Sequence, residues 1–167
     1  MRWLITAVLF LLMLAAQATA APRLDFLGLD ARPNFLIILV VQLALLSPRI
    51  DTVIWSWVMG LLVDLHDANP PGVLALTYML IALVTHRIRS QIFAGHIITR
   101  LLLVVIADFL QHLALMFTEI IRGHPLHFLL FWRRTVISIV YTAAVGVVLL
   151  PLLSLMFRYV YGQRRRT

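Results

Sequence analysis

IITRLLLVVIADFLQHLALMFTEI, residues 97–120, is the stretch on which the fold turns. A straight membrane-crossing helix needs about 20 predominantly apolar residues, and this run satisfies that length. Its polar residues do not form a water-facing stripe. Asp108 lies near the middle, and Gln111 and His112 follow three and four positions on, so the three share one helix face. A run of this length and polarity belongs in lipid, with its few polar groups turned to neighbouring helices.

Working outward, five further apolar segments can be drawn: Trp3–Ala21, Asn34–Leu46, Thr52–Leu65, Val73–Thr85 (with its basic end, to residue 87) and Thr135–Tyr161. The first and last reach spanning length; the three between are short. We expect them to be complete spans, with local thinning of the bilayer and with Arg49, Arg87 and Arg89 reaching toward headgroups. The connections are tight. Ser47-Pro48-Arg49 joins the second segment to the third, and Ala68-Asn69-Pro70-Pro71-Gly72 joins the third to the fourth. Proline and glycine there end one helix and let the next begin. The expectation is an all-α, polytopic integral membrane protein of about six helices (3–21, 34–46, 52–65, 73–87, 97–120 and 135–161), forming one transmembrane domain over residues 1–167.

Composition agrees. Charged residues make up 13% of the chain and apolar ones 62%. An ordinary soluble domain carries roughly a quarter charged residues, so water-facing surface is lacking. The net charge is +7, and every basic residue is arginine. These arginines sit between apolar runs instead of along an amphipathic surface, which points to membrane orientation and not to nucleic acid. Without cysteine, disulfides and thiolate metal sites are excluded.

With the N-terminus in the cytoplasm, Arg2, Arg49, Arg87, Arg89, Arg100, Arg158, Arg164, Arg165 and Arg166 lie inside, against Arg23, Arg32, Arg122, Arg133 and Arg134 outside. That excess places both termini in the cytoplasm if the first helix is retained. Met1-Arg2, an apolar stretch and Ala18-Thr19-Ala20 also fit a cleaved signal peptide. Pro22 close behind the cleavage point and the spanning length of the run favour retention. Both readings stay open here.

Ionisable groups inside spans are functional candidates because they are costly to insert. Asp108, Gln111 and His112 form either a hydrogen-bonded cluster orienting the fifth helix, the expected role, or a ligand pocket, proton relay or docking surface. Asp64 and Asp67 close the third segment, with a structural role expected for both. The pair His124 and His127 is interrupted by Pro125, with no third ligand close in sequence, so no metal site is expected. No phosphate-binding loop, nucleophile elbow or zinc-protease motif occurs. No catalytic residue, cofactor or enzyme activity is expected. Gly60, Ala75, Ala82, Ala143, Ala144 and Gly146 are expected to allow close helix approach, and Pro151 to kink the last helix. Trp3, Trp55, Trp57 and Trp132 read as interface anchors.

One constellation resembles a known family. Pro33-Asn34 opens an apolar helix; Gly60-Leu61-Leu62-Val63-Asp64-Leu65 follows a tight turn; a short gap ends at Pro71-Gly72; and Ala75-Leu76-Thr77-Tyr78 leads to His86-Arg87-Ile88-Arg89. This resembles the MreD family of rod shape-determining membrane proteins, with Gly60, Asp64 and Gly72 as the family motif. The family more often has aspartate where this chain has Asn34, and Asp108, Gln111 and His112 match no family signature. The resemblance implies a non-catalytic inner-membrane component of the cell-elongation machinery. Its implied partners are MreC directly, and MreB, RodA and its penicillin-binding transpeptidase within a complex for peptidoglycan synthesis. It also implies a fold similar to the substrate-binding subunits of energy-coupling-factor transporters. A small-molecule-binding subunit of that transporter type is therefore the alternative function. Homo-oligomerisation stays open.

Overall fold

The computed structural model describes residues 2–19, 32–66, 70–89, 96–123 and 128–162. Among these, the regular elements are six α-helices: α1 (Arg2–Thr19), α2 (Phe35–Leu46), α3 (Arg49–His66), α4 (Val73–Ile88), α5 (Ile97–Ile121) and α6 (Phe128–Gly162). The cleavage point after Ala20, Arg23, Asp67, Asn69, the His124–His127 pair and the Gln163–Thr167 tail lie outside the described residues.

α2 is the axis of the bundle. Residues Phe35 to Leu45 are all buried, and α2 touches every other helix. A helix apolar all round has no face to give to solvent, so it belongs at the centre. Twelve residues rise only about 18 Å at 1.5 Å per residue. α3 with α4, and α5 with α6, pack as hairpins around it.

The outer surface is apolar. On α5, Ile98, Leu102, Ile106 and Leu110 are exposed one turn apart, while Leu103, Val104, Ala107, Asp108 and Gln111 are buried. On α4, Leu76, Leu80 and Val84 do the same. The polarity is thus inverted relative to a soluble protein, where exposed apolar patches of this extent are rare. The spans Ile97–Ile121 and Phe128–Phe157 are long and apolar enough to cross a membrane; the apolar parts of α1, α2 and α4 are shorter.

Two helix starts differ from the sequence expectation by more than one residue. α3 begins at Arg49 instead of Thr52, because the Pro48 carbonyl accepts from Thr52 N at 3.0 Å and so closes the first turn. α6 begins at Phe128 instead of Thr135. Arg133 and Arg134 interrupt the apolar run but not the helix, since both are exposed and arginine is a good helix former. Trp132 anchors the added turns, with its ring 5.9 Å from Phe128 and 6.0 Å from Phe109. Trp55 falls well inside α3 and packs on Trp3 of α1, at 5.9 Å between ring centres. Arg49 and Arg87 are exposed. Arg89 instead turns back to donate to the Ser47 carbonyl at the end of α2, at 2.8 Å. α6 runs on as helix through Pro151, beside which the buried Gln42 amide donates to Leu150 O at 3.4 Å.

Close helix approach occurs at Gly60 and not at Gly146. A Cβ on Gly60 would collide with Leu74 O and stand 2.6 Å from Ala75 N, both backbone atoms of α4. A Cβ on Gly146 would find its nearest neighbour, a Leu101 methyl, at 3.8 Å, an ordinary contact. Ala144 is exposed. Gly60→Ala is therefore expected to destabilise the detergent-solubilised protein by about 1–3 kcal/mol or more through overpacking. Gly146→Ala should be neutral or stabilising by up to about 1 kcal/mol through helix propensity. Thermal unfolding of the two variants side by side checks this.

Candidate functional site

The first turn of a helix leaves N–H groups without intrahelical partners. At α4 the residue in the capping position is Gly72, with φ 102° and no side chain to offer. The cap comes from α3. Asp64, 1% exposed, accepts from Gly72 N at 2.9 Å, from Leu74 N at 3.1 Å and from Ala75 N at 3.2 Å. Leu74 N and Ala75 N are the donors that an N-cap side chain ordinarily satisfies. The carboxylate also faces the positive end of the α4 dipole. Gly60, one turn earlier on the same face of α3, lets the α4 backbone come close enough for this reach. Gly72 takes the left-handed conformation that glycine adopts without steric cost. The structure thus joins Gly60, Asp64 and Gly72 in a single joint between α3 and α4.

The second cluster is centred on Asn34, the N-cap of α2. Its Oδ1 accepts from Ile37 N at 3.2 Å. Its Nδ2 donates to Asp108 Oδ1 at 3.0 Å and to Gln111 Oε1 at 2.6 Å, and its backbone N donates to Thr142 Oγ1 at 3.0 Å. One residue therefore caps α2 and ties it to α5 and α6. Next to it, Phe35 N donates to Gln17 Oε1 of α1 at 2.9 Å, and Ser138 Oγ of α6 donates to Arg32 O at 2.8 Å. Asp108 and Gln111 face this junction together. His112 is partly separate: its Nδ1 lies 2.9 Å from the Asp108 carbonyl and 3.8 Å from Asp108 Oδ1.

Beside the Asn34 cluster lies an open cavity of about 260 Å³, which Gln111 and His112 help to line together with residues of α1, α6 and the segment before α2. Asp108 is fully buried behind it. Among the described residues no group of three or more His, Asp or Glu side chains is gathered in a metal-binding arrangement. Sequence reasoning singled out Asp108, Gln111 and His112 but not the hub that binds two of them. The signal for Asn34 was its place just before an apolar helix, where a capping residue is expected. Thr142, Ser138 and Gln17 carry no such signal.

A helical bundle with an apolar exterior and its polar groups spent on joints between helices is a membrane protein. The family model described as rod shape-determining protein MreD matches residues 1–161, and the chain belongs to that family of shape-determining membrane proteins. No curated protein and no solved structure matches the chain.

Two outcomes follow from these joints. Asp64→Ala should cost about 2–4 kcal/mol, because buried N–H donors lose their acceptor. Hydrogen exchange should rise first in peptides covering residues 70–76. Asn34→Asp sets a carboxylate against Asp108 and should destabilise by about 1–3 kcal/mol. Adding Asp108→Asn, which swaps donor and acceptor, should restore at least half of that loss in a double-mutant thermal-unfolding cycle.

Proposed function

We propose that this protein is a non-catalytic, multi-pass inner-membrane component of the bacterial elongation complex, docking MreC and helping to position peptidoglycan synthesis so that the cell keeps its rod shape. The supporting observation is the family match over residues 1–161, combined with polar residues engaged in structure instead of chemistry. In this reading the chain is one domain of six crossings with both termini cytoplasmic, its fold similar to the substrate-binding subunits of energy-coupling-factor transporters. MreB, RodA and its transpeptidase join through the complex.

The means of docking follows from what is left available. Asp64 and Asp108 are buried at 1% and 0% exposure and already bonded within the chain. A helical partner therefore meets the outward apolar faces of α4, α5 and α6, where packing and not hydrogen bonding drives association in lipid. A second reading, a small-molecule-binding subunit of the transporter type, is favoured by one observation, the polar cavity beside Asn34.

Tagged full-length protein co-expressed with MreC from the same host should retain MreC through detergent purification. Loss of the gene should turn rods into rounded cells. Isolation of the chain without MreC, together with unchanged cell shape on deletion, would overturn the scaffold reading.

A further inference from the structure

The cavity beside Asn34 has a chemical character of its own, apart from any scaffold role. Among the described residues its lining includes Arg32, Arg134, His112, Thr135 and Ser138, and no carboxylate. Guanidinium groups present planar N–H forks that match the oxygens of phosphate and carboxylate. Both arginines also interact elsewhere in the chain, but five N–H donors each leave capacity for a ligand.

Thr135 supplies the independent observation. It is 1% exposed, and its hydroxyl has no hydrogen-bond partner. Several other helical threonines spend their hydroxyl within the chain: Thr77 donates to Val73 O at 2.7 Å, Thr118 to Ala114 O at 2.9 Å and Thr52 to Leu43 O at 3.3 Å. Thr135 does not, although it sits in the same kind of helix and lines the cavity. A buried hydroxyl left unmade costs about 1–3 kcal/mol, and a ligand oxygen in the cavity would recover it. The space is ample, since about 260 Å³ far exceeds the roughly 15 Å³ that admits one water.

We propose that this cavity binds a phosphate-type oxyanion, free or as part of a lipid headgroup, held by Arg32, Arg134 and the Thr135 hydroxyl. The Asn34 network forms its rigid wall: both amide hydrogens of Asn34 are committed to Asp108 and Gln111, so that wall does not move to fill the space.

The test uses the purified full-length chain in phosphate-free detergent, with thermal unfolding followed during titration by inorganic phosphate, against chloride at equal ionic strength, and separately by phosphatidylglycerol. A saturable rise in unfolding temperature is expected. Arg134→Gln should raise the half-maximal concentration at least about tenfold, as the loss of a charge-assisted hydrogen bond implies. Thr135→Val should weaken the response while leaving the unliganded unfolding temperature at or above wild type. A response to inorganic phosphate identifies a soluble anion; a response to phosphatidylglycerol alone identifies a lipid headgroup. No saturable response to either probe, an equal response in wild type and both variants, or a Thr135→Val protein that is destabilised without ligand would each overturn the proposal. None of these outcomes depends on whether MreC binds.

Discussion

A helix that starts inside a bundle in lipid exposes N–H groups where there is no water to receive them. Two of the helices here meet that constraint by borrowing. α4 begins at a glycine and takes its cap from Asp64 on α3; α2 begins at Asn34, which caps its own helix and spends its amide on α5. Each solution uses a polar group to hold together two elements that packing alone would leave free to slide. The capping requirement is local, but the way it is met sets the relative position of α3, α4, α2 and α5.

Once those joints are fixed, the rest of the bundle has little freedom. α2 is buried along its length, so the surrounding helices must close on it from all sides. The polar residues they carry inward are drawn to its two ends: Asn34, Asp108, Gln111 and Thr142 at one, Ser47, Thr52 and Arg89 at the other, where Thr52 Oγ1 donates to Leu43 O at 3.3 Å. The middle of α2 is left to apolar packing, with Gln42 beside Pro151 as a polar exception. Polar contacts of this kind, each worth on the order of 1 kcal/mol in a membrane, matter more for register than for total stability.

The number and order of helices were legible in the chain because apolar runs, even short ones, and Pro/Gly punctuation are strong one-dimensional signals. The motif Gly60, Asp64 and Gly72 was legible as a pattern, but its purpose was not. That purpose depends on Asp64 facing the start of the next helix across a turn, a relation between two elements. The start of α6 lies ahead of the apolar run that begins at Thr135, because exposed arginines at 133 and 134 break the run of apolar residues without breaking the helix. Gly146 was expected to serve close approach like Gly60, yet glycine in a sequence does not reveal which face meets a backbone. Asn34 joins partners 74 and 77 positions away, and no local period encodes that.

The contrast between spent and unspent polar groups bears on function. Asp64 draws two N–H groups of α4 and that of Gly72 before it and is closed off, so a partner would have to open the α3–α4 joint to touch it. Asn34 is committed on every side, and Asp108 is sealed behind it. With Asp64, Asn34 and Asp108 committed in this way, the surface left for contact along the spans is the apolar exterior of the bundle. Thr135 is among the side chains with a buried, unpartnered polar atom, as are Ser47, Ser56 and Trp55, and it lines the cavity edged by Arg32 and Arg134. An unpartnered hydroxyl on a residue that shares this lining with two cations makes the cavity a place where the bundle is prepared to receive an anion that it does not itself contain.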